Sequence, residues 1–284
     1  MSSRKFPTRR GFLAAAGAGA VLAGAGVATD VLPGGPWLRR HLGLTGADGV
    51  VPQAPAQAEF VSRRSAARSR EVELMITAPA GSRPERLPVC LALHGRGSSA
   101  RGMAGLGLPQ FLTAQFLTAT GARPFTVVAP DGGEHYWHDD GAGDDPMRML
   151  LEEIPVWLAE LGLAAPSAAL GISMGGFGAL SHPAPLKAVI SPALFGSWEE
   201  SRPLNAFPAR EVWEANDPLR HAARIDGRGL GIWCGTADVF YERALDLADR
   251  TNAVVTSFEP GDHTDGYWRR ALPDALRYLG QRLA

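Results

Sequence analysis

Ser173 lies in the run Gly171-Ile172-Ser173-Met174-Gly175, which has the G-x-S-x-G spacing of a nucleophilic serine. A serine at this position occupies a sharp turn from a strand into a helix, and glycines on both sides avoid a clash with the neighbouring backbone. The new helix directs its first amides and its dipole toward the serine hydroxyl. The pattern therefore predicts acyl transfer through Ser173, with the amide of Met174 as one donor to an oxyanion.

His263 has the position expected of the base that activates this serine. It is the one histidine of seven that follows the last predicted strand, directly after Pro260-Gly261-Asp262. Where the chain order is serine, acid and then base, the base comes last. The other histidines lie in an N-terminal arm, before the nucleophile, or before the strand that would carry the acid: His41, His94, His135, His138, His182 and His221.

Asp238 is the predicted acid of this group. It follows the predicted strand Leu230–Cys234 through Gly-Thr-Ala. An aspartate at this place is also suited to cap the next helix, and the two roles are compatible. Asp262 and Asp265 are alternatives, but they are too close in sequence to His263 to reach its far ring nitrogen. The prediction is that Ser173 attacks an acyl carbonyl, His263 takes its proton, and Asp238 orients the imidazole and stabilises the imidazolium.

Two further loops supply candidate site residues. The amide of Arg96, directly after His94 and Gly95, is the predicted second oxyanion donor. The loop that follows the next strand contains Tyr136 and Trp137. Because aromatic and charged residues suit the edge of a pocket, His94, Tyr136 and Trp137 are predicted to bind substrate.

The same loop contains His135 and His138 beside several carboxylates, which are residue types that also hold metals. A serine nucleophile with a histidine base requires no metal. We therefore predict neither a metal nor a cofactor, and we expect this loop to form part of the substrate pocket.

Alternating strands and helices must position these residues. Strands are predicted at Glu59–Ser65, Arg70–Thr77, Pro88–Leu93, Phe125–Ala129, the run before Ser173, Ala188–Ser191, Leu230–Cys234 and Ala253–Phe258. Helices are predicted at Leu108–Thr120, Met147–Leu161, after Ser173, at Tyr241–Thr251 and at Tyr267–Arg282. This alternation indicates an α/β fold: one domain over residues 59–284, with a mostly parallel central sheet and helices on both faces. All candidate residues then follow strands at the carboxyl edge of the sheet, where such folds bind ligands. The order of serine, acid and histidine is that of the α/β-hydrolase fold.

The composition is that of an ordinary globular protein, with 45% hydrophobic and 20% charged residues among 284. Without residues 1–28 the chain has 24 basic and 29 acidic residues, a net charge of −5. A mildly acidic protein is a poor candidate for nucleic-acid binding, and none is predicted. Cys90 and Cys234 lie in predicted buried strands that are not neighbours, so we expect two free, buried thiols.

The N-terminus predicts export. Residues 1–28 contain Thr-Arg-Arg-Gly-Phe-Leu and then an uncharged stretch rich in alanine and glycine, which is typical of a twin-arginine signal peptide and implies a translocase as partner. An uncleaved anchor helix is the alternative, although the stretch is short for a membrane span. Residues 29–58 are rich in proline, alanine and glutamine and predict an irregular arm or linker. The predicted location is secreted or otherwise extracytoplasmic, with association to the cell envelope left open.

Several motifs together carry a family resemblance: Leu93-His94-Gly95, Pro130-Asp131-Gly132, Tyr136-Trp137, Gly171–Gly176, Ser191-Pro192-Ala193 and Pro260–His263. With these, residues 59–284 resemble the Putative esterase family of α/β-hydrolases, in a secreted actinobacterial form. That family groups esterase D-type S-formylglutathione hydrolases, feruloyl and acetylxylan esterases, and the mycolyltransferases of actinobacteria. The resemblance implies a triad of Ser173, Asp238 and His263 and a carboxylic ester as substrate.

The resulting prediction is an exported, monomeric serine carboxylesterase that hydrolyses an ester through an acyl-enzyme on Ser173. Its substrate would be a small-molecule, cell-wall or polysaccharide ester. One alternative is an exported, mycolyltransferase-like acyltransferase that passes the acyl group to a sugar hydroxyl, although mycolyltransferases usually have Asp-Gly where this chain has His94-Gly95. A second alternative is a binding protein that retains the hydrolase fold without catalysis. The sequence does not indicate the acyl chain length or the alcohol.

Overall fold

The computed structural model describes residues 42–118 and 121–283. The chain divides into two compact units, Met1–Ala47 and Asp48–Ala284. Of the first unit only residues 42–47 are described, so the predicted signal peptide and residues 29–41 of the predicted arm lie outside the described residues. The last part of the arm, residues 48–57, contains neither a helix nor a strand. Within the described residues, no helix is both long and apolar enough to cross a membrane.

A single sheet of eight strands forms the centre of the second unit. The strands are β1 Ala58–Ser65, β2 Arg70–Thr77, β3 Val89–Leu93, β4 Thr126–Pro130, β5 Pro166–Ile172, β6 Leu186–Ile190, β7 Leu230–Gly235 and β8 Val255–Glu259. Their order in the sheet is β1-β2-β4-β3-β5-β6-β7-β8. The strands β1 and β2 form an antiparallel hairpin, β2 pairs antiparallel with β4, and the pairs from β4 onward are parallel. This agrees with the predicted mostly parallel sheet.

Helices cover both faces of the sheet. On one face pack Ala100–Leu106, Leu108–Thr118 and Asp265–Arg282; on the other pack Pro146–Arg148 with its continuation Ile154–Glu160, Met174–Ser181 and Tyr241–Thr251. A π-helical turn, Met149–Glu153, joins the two parts of the third helix. The described residues also form two short helices, Trp198–Ser201 and Arg210–Asn216. They form 3₁₀ turns at Pro84–Arg86, Arg202–Leu204, Ala222–Arg224 and Gly227–Gly229.

Most of these elements were predicted to within two residues, but Ala100–Leu106 was not predicted. Its seven residues contain Gly102 and Gly105, which weaken helix propensity. The structure shows what compensates. The Ser99 hydroxyl caps the helix by accepting from the Gly102 amide at 3.1 Å, and Met103 and Leu106 bury their side chains against the sheet.

Alternate residues of the central strands enter two apolar clusters, one on each face. Leu91 belongs to one cluster, and its neighbours Cys90 and Ala92 belong to the other. Cys90 and Cys234 are free and buried, as predicted, and they lie on β3 and β7, which are not adjacent. Burial raises the pKa of both thiols well above the ordinary range, so both are neutral.

Candidate active site

Ser173 occupies the turn between β5 and the helix Met174–Ser181, with φ 55° and ψ −120°. Its backbone is held from both sides. Its amide donates to the carbonyl of Ile190 at 3.0 Å, and its carbonyl accepts from the amide of Ala193 at 3.0 Å. These two bonds connect the turn to the end of β6, so the neighbouring strand maintains a conformation that a serine alone would not favour.

The two glycines beside Ser173 are required by the closeness of neighbouring backbone. A Cβ on Gly171 would overlap the carbonyl of Gly175, and a Cβ on Gly175 would overlap the carbonyl of Leu93. The helix therefore begins in direct contact with the end of β3. This is the steric reason for the spacing in the sequence.

The structure brings Ser173, His263 and Asp238 into one chain of hydrogen bonds. Ser173 Oγ lies 2.9 Å from His263 Nε2. His263 Nδ1 lies 3.0 and 2.9 Å from the two carboxylate oxygens of Asp238. The Asp238 side chain is fully buried, whereas that of His263 is 22% exposed. An ionised Asp238 requires the proton on Nδ1, which leaves Nε2 as the acceptor for the serine hydroxyl.

The carboxylate of Asp238 is fixed by its own turn. Its Oδ1 also accepts from the amide of Phe240 at 2.9 Å, so the aspartate closes a turn before the helix Tyr241–Thr251. The cap residue of that helix is Phe240 rather than Asp238. The alternative acid Asp262 accepts instead from the backbone amide of His263 at 2.8 Å, as its closeness in sequence suggested.

Two aromatic side chains hold the imidazole of His263 by edge contacts that the sequence-based reasoning missed. Phe240 lies with its ring centroid 5.2 Å away, and Trp268 lies 5.1 Å away in a T-shaped arrangement. The sequence contained a signal for both contacts, because Phe240 and Trp268 each follow a predicted triad residue within five positions. Both contacts restrict rotation of the ring and cover it from solvent.

The loop after β3 passes directly beside the nucleophile. A Cβ placed on Gly95 would lie 3.2 Å from Ser173 Cβ and 3.8 Å from its Oγ. Within the described part of the chain, the amide of Arg96 donates to no protein acceptor. The amide of Met174 is the first of its helix, a position that has no intrahelical acceptor. Both predicted oxyanion donors are therefore available on the backbone around Ser173.

The Arg96 side chain points away from its amide and connects the oxyanion loop to its surroundings. Its guanidinium donates to the carbonyl of Leu204 at 2.5 Å and lies 3.4 Å from the carboxylate of Glu134. The Glu134 carboxylate also accepts from the amide of Gly97 at 3.0 Å. These contacts fix the loop that carries the Arg96 amide.

The prediction that His94, Tyr136 and Trp137 bind substrate requires correction, because all three are buried, at 0%, 2% and 1% exposure. His94 joins two loops: Nδ1 lies 2.8 Å from the carbonyl of Gly95, and Nε2 accepts from the amide of Gly132 at 2.8 Å. The indole of Trp137 donates to the carbonyl of His94 at 3.3 Å. These side chains support the oxyanion loop from behind.

Tyr136 belongs to an aromatic cluster with Phe177, Phe195 and Phe207, with ring centroids 5.4–5.8 Å from its own. Tyr136 and Trp137 have φ values of 45° and 59°, and this turn directs both rings inward. Burial raises the pKa of Tyr136 to about 12, so its phenol is neutral.

The loop that contains His135 and His138 does not assemble a metal site. Both ring nitrogens of His138 lie against backbone carbonyls, those of Asp139 at 2.7 Å and Ala206 at 3.0 Å. Within residues 42–118 and 121–283, no three His, Cys, Asp or Glu side chains lie together in a metal-binding arrangement.

A buried ion pair anchors this loop to the β1–β2 hairpin. Arg68 is 2% exposed and donates to both carboxylate oxygens of Asp144, at 2.6 and 3.0 Å, and to the carbonyl of Asp131 at 2.5 Å. Arg70 adds a second contact to Asp144 at 2.7 Å. A bidentate pair of this kind satisfies the buried charge and fixes the loop in one position.

A cavity of about 370 Å³ opens beside Ser173. It is lined by the oxyanion loop at Gly95 and Arg96, by Ile172 before the serine, and by Trp268 against the imidazole. Met103, Leu106 and Asp265 are among its other lining residues. Its volume is within the range of small-molecule sites.

Comparison with known proteins identifies the family of this chain. The profile of the family described as Putative esterase matches residues 65–279. The chain belongs to this family. No curated protein matched the sequence. This esterase is a hydrolase of the serine carboxylesterase type.

Solved structures similar to this esterase include three hydrolases. A ferulic acid esterase has a TM-score of 0.66 at 18% identity, covering 81% of this chain and 100% of that one. An S-formylglutathione hydrolase from Agrobacterium tumefaciens has a TM-score of 0.65 at 17% identity, covering 81% and 96%. A fluorophosphonate-binding serine hydrolase from Staphylococcus aureus has a TM-score of 0.62 at 18% identity, covering 80% and 99%. At these identities the likeness shows the α/β-hydrolase fold.

Proposed function

We propose that this esterase is an exported serine carboxylesterase that forms its acyl-enzyme on Ser173. The observation that carries the proposal is the continuous chain from Ser173 Oγ through His263 to Asp238, with separations of 2.9 to 3.0 Å. A hydroxyl placed against a neutral imidazole, itself oriented by a buried carboxylate, is the arrangement that activates serine as a nucleophile.

The first half of the reaction consumes the ester. His263 Nε2 takes the hydroxyl proton as Ser173 Oγ bonds to the carbonyl carbon, and the amides of Met174 and Arg96 donate to the resulting oxyanion. When the intermediate collapses, the bond from carbon to the alcohol oxygen breaks, and the alcohol leaves with the proton from His263. Water then attacks the acyl-enzyme with His263 as base and releases the carboxylic acid.

The cavity beside Ser173 supports a small-molecule ester as substrate, since its volume is that of a small-molecule site and the oxyanion loop at Gly95 and Arg96 forms part of its lining. An acyltransferase that uses a sugar hydroxyl in place of water would share every step up to the acyl-enzyme. The two reactions therefore differ only in the acceptor.

A direct experiment uses the full-length esterase and its Ser173→Ala variant with p-nitrophenyl esters of graded chain length, with and without sugar acceptors. We expect hydrolysis and a mass increase of one acyl group for the parent protein, and neither for the variant. Equal activity in the two proteins would exclude Ser173 as nucleophile. Acyl transfer to the sugar in preference to water would establish the acyltransferase alternative.

Export is supported by Arg9 and Arg10, which precede an uncharged stretch that continues to residue 29. We expect that changing both arginines to lysine retains the esterase in the cytoplasm. The matched control changes Lys5 to arginine and leaves the pair intact, and it should export normally. Export of the double variant at the parent level would contradict a twin-arginine route.

A further inference from the structure

A second cavity, here named the side cavity, lies along the C-terminal half of the helix Met174–Ser181. Its volume is about 430 Å³, and within the described chain it shares no lining residue with the cavity beside Ser173. Met147, Phe177, Leu180 and Ile225 provide apolar surface. The volume and the apolar walls are those of a small-molecule site.

Basic groups supply the polar surface of the side cavity. Among the described residues its lining includes Lys187, Arg224 and three histidines, and it includes no aspartate or glutamate side chain. A random stretch of surface on a chain with 29 acidic and 28 basic residues would mix both signs. The lining therefore favours a negatively charged ligand.

Lys187 is the strongest of these groups. It is 8% exposed, and its ammonium donates to the carbonyl of Ala184 at 2.7 Å. An ammonium has three protons, and within the described residues no second acceptor is assigned to it. The nearby carboxylate of Asp226 is bound to Arg228, with contacts at 3.1 and 2.9 Å. A buried lysine without a carboxylate partner is costly, and a bound anion would relieve that cost.

His182 adds a neutral donor next to Lys187. Its Nδ1 accepts from the amide of Ala184 at 3.1 Å, which places the ring proton on Nε2. Burial, with a smaller effect from the charge of Lys187, lowers the pKa of His182 to about 4. The ring is therefore neutral at pH 7 and keeps a donor on the nitrogen that faces away from Ala184.

One acidic residue adjacent in sequence to the cavity lining, Asp217, is already hydrogen-bonded. Asp217 lies between two lining residues, but it is 1% exposed and its carboxylate accepts from the amide of Leu219 at 3.2 Å. Arg224 is exposed, and within the described residues it is assigned no ion pair. Within the described residues no carboxylate forms an ion pair with Lys187 or Arg224, although the charge of Asp226 still acts on Lys187.

We propose that the side cavity binds a small amphipathic monocarboxylate, with its carboxylate on Lys187 and Arg224 and its apolar part against Met147 and Ile225. One buried ammonium balances one negative charge, and the apolar walls exclude a fully hydrated ligand such as inorganic phosphate. The proposal is independent of the chemistry at Ser173.

The test measures binding to the full-length esterase after phenylmethylsulfonyl fluoride has blocked Ser173, so that the catalytic cavity does not contribute. Benzoate and its uncharged analogue benzamide are compared by calorimetry and by saturation-transfer NMR. We expect benzoate to bind at least about tenfold more tightly than benzamide, as a charge-assisted contact requires. Equal affinities, or tighter binding of inorganic phosphate than of benzoate, would overturn the proposal. If Ser173 resists the reagent, the variants of Lys187 and Arg224 described next assign the binding to the side cavity or exclude it.

Three variants locate the binding. Lys187→Met keeps the unbranched stem and removes the charge, so the variant should fold. Its affinity for benzoate should be lower by about tenfold or more, and its affinity for benzamide should be unchanged. Arg224→Met tests the exposed arginine of the cavity separately and should weaken the binding of benzoate by a smaller factor. Arg277→Met is the control, because that exposed arginine pairs with Asp274 and does not line the cavity. Unchanged benzoate affinity in both of the first two variants, or an equal loss in the control, would refute the assignment.

Discussion

Replacing Asp238 with asparagine should inactivate the esterase without unfolding it. The amide of asparagine would direct its N–H₂ toward His263 Nδ1 or offer a neutral oxygen in place of the carboxylate. In the first case Nδ1 becomes the acceptor, and the proton moves to Nε2, which then faces Ser173 Oγ and cannot accept the hydroxyl proton. In the second case the imidazolium formed in the transition state loses its counter-ion.

The size of the expected loss in kcat follows from the distances between His263 and Asp238. The contacts from His263 Nδ1 to the carboxylate are 2.9 and 3.0 Å, and the Asp238 side chain is fully buried. Opposite charges about 3–4 Å apart at an effective dielectric constant near 20 attract by about 4–5 kcal/mol. That energy corresponds to a loss of about 10³–10⁴ in kcat.

The assay is kcat and kcat/KM for p-nitrophenyl acetate across pH, with thermal unfolding as the check on folding. Asp262→Asn is the matched control, since this neighbouring carboxylate accepts from the backbone amide of His263 at 2.8 Å. We expect the control to lose less than about tenfold, as a surface hydrogen bond predicts. Activity of Asp238→Asn within tenfold of the parent protein, in a folded variant, would refute the role given to Asp238.

Three further variants test other parts of the structure. Gly95→Ala would place a Cβ 3.2 Å from Ser173 Cβ, and we expect kcat to fall about 10²-fold through misplacement of the oxyanion loop, with little change in melting temperature. Asp144→Asn would leave Arg68 buried without its counter-charge, and urea unfolding should show a loss of about 3 kcal/mol or more. Burial raises the pKa of Asp217 to about 6, so the folded state binds its proton more tightly than the unfolded chain does, and stability falls as pH rises from about 4 to 6. Asp217→Asn should therefore be more stable than the parent by about 3 kcal/mol above that window and equal to it below, as measured by urea unfolding at one pH on each side of the window.

Each of these expectations has a contrary outcome. Wild-type kcat in Gly95→Ala would show that the loop does not contribute to the oxyanion site. A loss in Asp144→Asn no larger than that in Glu199→Gln, which breaks an exposed pair with Arg210, would show that burial adds nothing to the pair. A stability difference for Asp217→Asn that is independent of pH would contradict a raised pKa.

The catalytic geometry could be predicted because it depends on chain order and on strand ends. Ser173, Asp238 and His263 each follow a parallel strand, and neighbouring parallel strands bring their carboxyl ends to the same edge. Ser173 follows β5, Asp238 follows β7 and His263 follows β8. Local patterns in the sequence were therefore sufficient to assemble the candidate site.

Burial of polar and aromatic residues could not be predicted in the same way. Tyr136 and Trp137 have the composition of a pocket edge, but their backbone turns with positive φ and directs both rings inward. The pair of Arg68 and Asp144 joins residues 76 positions apart, and no local pattern marks it. Such contacts depend on how elements pack, which a single sequence does not specify.

The backbone conformation of Ser173 serves catalysis but lowers the stability of the folded protein. With φ at 55° and ψ at −120°, the residue occupies a region that glycine adopts readily and that costs serine about 1–3 kcal/mol. A glycine at this position would therefore make a more stable and wholly inactive protein. In a laboratory evolution experiment that selects only for heat resistance, the nucleophile should be among the first residues to be lost, and its retention in such a population would measure how strongly activity is being selected.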